Sequence, residues 1–197
     1  HRVEDVGAVQ GPVREITSNQ YAHALLASGD INVLGGTAWL WSRPEFAKSV
    51  SVLFVDEAGQ MSLANVLAAT QAAGSIVLLG DPQQLDQPTK GSHPEGVGVS
   101  ALQHILGEHL TIPSTQGIFL PETWRLSPEI CRFTSEVFYE GRLASKPGLE
   151  NQRLVGGPLG SGLWIVEVDH DGNRNASDEE VEAVANLVAR LTAEGSQ

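Results

Sequence analysis

Val52-Leu53-Phe54-Val55-Asp56-Glu57-Ala58, answered by Val77-Leu78-Leu79-Gly80-Asp81-Pro82-Gln83-Gln84-Leu85, decides how this chain is read. Each run is made of β-branched and large apolar residues without polar alternation, the pattern of a parallel strand covered on both faces in an α/β protein. The segment between them is long enough for one crossover helix, as a right-handed βαβ unit requires. Both runs stop at acids. Ligands in such sheets bind beyond the carboxyl ends of the strands, so Asp56, Glu57 and Asp81 are expected on the functional edge.

The residue types at that edge suit phosphate chemistry. An Asp that closes an apolar strand is the usual Mg²⁺ holder of P-loop nucleotide hydrolases, and an adjacent Glu can orient and deprotonate an attacking water. Gln84 can place an amide on a γ-phosphate from the neighbouring strand end. The plainer alternative is that Asp56-Glu57 only ends a strand and begins a turn. The loop Gly-x-x-x-x-Gly-Lys-Ser/Thr, whose amides cradle phosphate, does not occur: Lys90-Gly91-Ser92 has the wrong order, and Gly156 to Gly162 has no Lys.

These segments resemble the superfamily 1 helicases. Asp56-Glu57-Ala58-Gly59-Gln60 resembles helicase motif II, Gly80 to Leu85 resembles motif III, and Leu120 to Ile130, with Trp124-Arg125, resembles motif IV. Phe138 to Leu143 is similar to a segment of the branch that moves 5′ to 3′, which includes RNA-surveillance helicases and replication nuclease-helicases. Gly35-Gly36-Thr37-Ala38 resembles the short motif before motif II, and Gly36 to Trp41 is similar to a bacterial group in which the motor is fused to a RecB-like nuclease.

The resemblance implies a RecA-like P-loop NTPase fold in two partial α/β lobes, residues 1–115 and 116–197. It also implies ATP and Mg²⁺ as cofactors, with single-stranded DNA or RNA as partner. By it, Asp56 holds Mg²⁺ through water, Glu57 is the catalytic base and Gln84 senses the γ-phosphate, with Asp81 beside them in the nucleotide site. Arg125 serves as an arginine finger, and Trp124, where the family more often has Tyr, stacks on adenine. Thr37 touches a nucleic-acid phosphate. In the family the phosphate loop lies upstream of these motifs and a second catalytic Arg downstream, so the chain is expected to be the middle of a longer motor, inactive by itself. No acid followed by Glu-x-Lys is present, so any nuclease chemistry is expected elsewhere in that longer protein.

Each assignment has a structural alternative. Arg125 can pair with Glu122 or Glu129, Trp124 can be a core residue, and Thr37 can be a strand-end hydroxyl. Trp39 and Trp41, taken as facing one way along a strand, suit core packing better than base stacking. Ser18-Asn19 reads as a helix cap.

Composition fits a globular chain with a real core, 41% hydrophobic over 197 residues. A single cysteine, Cys131, excludes an internal disulfide and is expected to be packed. No apolar run approaches the roughly 18 residues of a membrane span, and no signal peptide is visible, so a cytoplasmic location without membrane contact is expected. The charge opposes a nucleic-acid partner: 12 basic residues stand against 24 acids. Phosphate neutralisation leaves a basic patch, and none is seen. Motors on single strands also use amides, hydroxyls and stacking.

The periodicity predicts a helix over 18–27, strands over 31–34, 51–55 and 76–79, and a helix from Ser62 closing at Gly74. Residues 86–98 read as a loop, 100–106 as a helix, and 110–117 as the connection between the lobes. Ser127-Pro128-Glu129 opens a helix whose Ile130, Phe133, Val137 and Phe138 should pack inward. A loop over 147–162 and a strand over 163–168 follow. A capping box at Ser177 and Glu180 then opens a helix with Val181, Val184, Val188 and Leu191 in one stripe. Two further functions remain open: a non-catalytic, degenerate helicase-like interaction module, and an acid-metal phosphohydrolase using Asp56, Glu57 and Asp81.

Overall fold

The computed structural model describes residues 13–84, 98–154 and 160–193, and the chain divides into two compact units, His1–Glu108 and His109–Gln197. Each is a mixed α/β unit holding one two-stranded parallel sheet. The break precedes the expected connection at 110–117. The expected loop at 86–98 except for Gly98, Leu85 of the second motif, and Lys90-Gly91-Ser92 lie outside the described residues.

In the first unit Ser18 accepts the Tyr21 N–H on its hydroxyl at 3.3 Å and opens α1 (Asn19–Ser28), as its residue type predicts. α2 (Ala38–Trp41) and a 3₁₀ turn (Pro44–Phe46) lead to β1 (Val50–Val55). α3 (Leu63–Thr70), capped by the Ser62 hydroxyl on Asn65 N–H, is the crossover to β2 (Ala73–Leu78), and α4 (Ala101–Leu106) follows Ser100. β1 and β2 pair in parallel, Val52 opposite Ser75 and Val55 opposite Leu78. The core forms where Leu53 and Val55 meet Val66 and Ala69 of α3, Leu102 of α4, Trp41 and Phe46. Phe46 is fully buried, edge-on to the rings of Trp41 and His23.

Several expectations fail here. The strands are covered on one face: Leu53 and Val55 are buried, but Phe54, pointing the other way, is 65% exposed. The unbroken apolar run describes a sheet with both faces covered, and here the Phe54 side stays largely open. Residues 31–34 form no strand, and Trp39 and Trp41 lie on the short helix α2, where they diverge, Trp41 into the core and Trp39 out to solvent. Gly74 does not close α3. Pairing of Val50 with Ala73 draws it into β2, so the strand begins before Ile76, and Leu67 is left exposed.

The second unit holds β3 (Glu122–Thr123), α5 (Pro128–Phe138), β4 (Ala144–Ser145), a 3₁₀ turn (Leu149–Asn151) and α6 (Asp178–Ala193). Pro128 begins α5 as expected, but the Ser127 hydroxyl makes no capping bond. The buried side of α5 is Cys131 and Ser135, while Phe133, Val137 and Phe138 are exposed. The return segment explains the choice: the Ser135 hydroxyl accepts the Leu143 N–H at 3.0 Å, so the strand covers that side of the helix. Residues 163–168 form no strand, and Trp164 is exposed, because among the described residues no backbone offers them a ladder. Ser177 caps α6 through Glu180 N–H, but the Glu180 carboxylate faces His170 Nε2 at 3.5 Å instead of returning to the cap. The valine stripe of α6 is present and exposed. No helix among the described residues is long and apolar enough to cross a membrane.

The two phenylalanines separate the real core from the apparent one. Phe46→Ala should lower unfolding free energy in urea by about 3–5 kcal/mol, the cost of emptying a buried aromatic site. Phe54→Ala should change it by less than about 1 kcal/mol, although Phe54 lies in the most hydrophobic stretch of the unit.

Candidate functional site at the carboxyl ends of the first sheet

β1 runs into a turn at 56–60 and β2 into a turn at 80–84, and backbone joins the two. Leu79 N–H donates to the Val55 carbonyl and Ala58 N–H to the Leu79 carbonyl, both at 2.8 Å. The approach admits no side chain at two positions. A Cβ on Gly59 would lie 2.1 Å from the Asp81 carbonyl oxygen, and one on Gly80 would lie 2.9 Å from the Ala58 nitrogen. Glycine is the residue that permits such an approach.

Within this frame the four strand-end residues of the first unit come to one edge. Asp56 accepts the Glu57 N–H on Oδ1 at 3.0 Å. Glu57 has φ 53°, in the left-handed region that costs a non-glycine residue roughly 1–2 kcal/mol. The Glu57 carbonyl accepts from Gln60 N–H and Met61 N–H at 2.9 and 3.2 Å and closes the turn. Asp81 Oδ1 accepts Gln83 N–H at 3.0 Å, an Asx turn that shapes the second segment. The Gln84 side chain accepts from Gln60 Nε2 at 2.9 Å, the side-chain link between the two turns. Asp56, Glu57 and Gln84 are exposed and Asp81 half-buried.

Asp56, Glu57 and Asp81 do not assemble a three-carboxylate metal centre: among the described residues no group of three His, Cys, Asp or Glu side chains could hold an ion. Thr37 is the N-cap of α2 rather than the end of a strand, and its exposed hydroxyl makes no capping bond.

Trp124 and Arg125 belong to the second unit and follow β3. Trp124 is 68% exposed, so it is no core residue, and Lys146 Nζ sits 2.7 Å from its ring centroid, a cation over a π face. Arg125 donates its backbone N–H to the Thr123 hydroxyl at 3.3 Å, and its guanidinium forms no ion pair with Glu122 or Glu129. Both structural alternatives for these residues are therefore set aside. Cys131 is packed on the inner side of α5, where burial pushes its thiol pKa up.

Two contact residues were not legible from residue type. Gln60 stands in the first motif, but its partner is 24 residues away. Lys146 is a lone cation in an irregular stretch, and only the pairing of β3 with β4 brings it to Trp124.

No family model matches the chain, and no solved structure matches it significantly. Its curated relatives are distant and partial. Phospho-N-acetylmuramoyl-pentapeptide-transferases of Chlorobium luteolum and Chlorobaculum parvum are 24% and 25% identical over 123 residues, 59% of this chain and 33% of theirs. The 3′-5′ exoribonuclease HELZ2 of Mus musculus is 26% identical over 163 residues, 73% of this chain and 5% of that protein. The chain thus spans about a third of the length of the transferases and a small part of the mouse protein. At these identities no family is assigned. An aligned span of 73% of 197 residues cannot avoid the stretch from Asp56 to Arg142.

Glycine and αL effects should oppose each other across one turn. Gly59→Ala should cost about 1–3 kcal/mol in urea unfolding, because backbone must shift to admit the methyl group. Glu57→Gly, two residues away in the same turn, should leave stability unchanged or raise it by up to about 1 kcal/mol, since it releases the left-handed strain.

Proposed function

We propose that this chain is part of an ATP-dependent, helicase-like motor, using Mg²⁺ and ATP to move along single-stranded DNA or RNA, with the strand-end cluster of the first unit as one side of its nucleotide site. The observation that carries the reading is the joining of the 56–60 and 80–84 turns through backbone and the Gln60–Gln84 pair, which holds two exposed carboxylates and an amide at the carboxyl edge of a parallel βαβ unit. The partial likeness to HELZ2, which spans those residues, supports a helicase-like relationship.

The donor set fits Mg²⁺ and a nucleotide in part: exposed carboxylate oxygens for a hydrated hard cation and an amide for a phosphate, with the amide cradle expected upstream. Mg²⁺ supplies charge neutralisation on the phosphate oxygens when bound. Asp56 would hold it through water, with Asp81 fixing the adjoining turn. Glu57 takes a proton from the attacking water onto its carboxylate. Gln84 senses the terminal phosphate, Arg125 stabilises charge on the transferred group, and Trp124 stacks on the base. Thr37 is the proposed contact to a nucleic-acid phosphate. The charge of −12 implies that the strand is held mainly by amides, hydroxyls and stacking. The mouse relative is named for action on RNA, so RNA belongs beside DNA as a track. A nuclease domain in the same longer protein, and a place in DNA repair or processing, follow from the bacterial resemblance.

ATP turnover by the full-length protein should rise with single-stranded DNA or RNA. Glu57→Gln should lower kcat by about 10²- to 10⁴-fold, the weight of a general base, and Arg125→Ala by about 10³-fold or more, with ATP still bound in both. A full-length protein that turns over no ATP with either nucleic acid would instead support a non-catalytic interaction module.

A further inference from the structure

We propose that Gln60 is a positioning residue for Gln84, fixing which end of the Gln84 amide faces the terminal phosphate. The inference rests on the nucleotide-site reading above and goes beyond it in one residue. A primary amide has an acceptor end and a donor end, and an anionic phosphate oxygen is met favourably only by the donor end. Left free on an exposed side chain, the amide would present either. In the structure Gln60 Nε2 donates to Gln84 Oε1 at 2.9 Å, a contact that engages the acceptor end and leaves the Gln84 Nε2 protons turned away from Gln60.

The pair is held from both sides. Gln60 is fixed by its own N–H on the Glu57 carbonyl, and its neighbour Gly59 lies against the Asp81 carbonyl with no room for a side chain. Gln84 follows the Asx turn of Asp81, donating its N–H to the Asp81 carbonyl at 3.4 Å. The turn that carries the proposed base, Glu57, therefore also carries the group that orients the phosphate sensor. Loss of the terminal phosphate would be felt in both turns through this one bond.

The isosteric change Gln60→Glu tests polarity without changing shape. A carboxylate accepts only, so it draws the Gln84 Nε2 to itself and turns Oε1 toward the phosphate. In the full-length protein, binding of fluorescent ATP and ADP analogues and steady-state turnover should be measured for wild type, Gln60→Glu, Gln60→Ala, Gln84→Ala and Gln60→Glu with Gln84→Ala. Gln60→Glu should lower kcat and ATP affinity about tenfold or more, with ADP affinity unchanged. Gln60→Ala, which frees the amide without inverting it, should fall between it and wild type. With Gln84 already alanine, Gln60→Glu should add less than about a twofold loss. Equal losses of ATP and ADP affinity, or an undiminished effect of Gln60→Glu when Gln84 is alanine, would overturn the role of Gln60 while leaving the nucleotide site standing. A wild-type protein that binds neither analogue would overturn the site reading, and this inference with it.

Discussion

The first unit depends on a backbone contact that tolerates nothing between its two halves. The turn after β1 and the turn after β2 touch through Gly59 and Gly80, with hydrogen bonds joining Ala58 to Leu79 and Leu79 to Val55. A parallel pair has no short hairpin to fix its register, so its ends must be set by something else. Here the two glycines let the chain ends lock. Everything proposed for the edge, from the Glu57 turn to the Gln60–Gln84 pair, is geometry inherited from that contact.

The same contact accounts for where the strain sits. Glu57 adopts a left-handed backbone that glycine or asparagine would take more cheaply, in a turn otherwise closed by ordinary hydrogen bonds. Such residues persist where the surroundings over-determine them, and the inference runs from the observed outlier to function.

Local signals were legible where a local cause decides. The apolar runs at 52–55 and 77–79, the cap at Ser18, the crossover after Ser62 and the proline start of α5 each follow from a few neighbouring residues. What failed was set by partners elsewhere in the chain. Phe54 reads as core but lies on the more open face of the sheet, and Trp39 and Trp41 separate because helix rather than strand period governs them. Phe133 and Val137 give way to Cys131 and Ser135 because Leu143 returns on that side of α5. The carboxylates of the candidate site were visible as residue types at strand ends. The orientation of the Gln84 amide was not, since it depends on a side chain 24 residues away.

The joined turns make a direct physical claim: nucleotide at this edge must be felt in both at once. Amide hydrogen exchange of the full-length protein, with and without Mg²⁺ and a non-hydrolysable ATP analogue, measures this without turnover. Residues 56–60 and 80–84 should gain protection together, with β1 and β2 changing little. Protection of one turn alone, or of neither while the analogue is bound, would contradict the claim that the two strand ends form one phosphate-sensing edge.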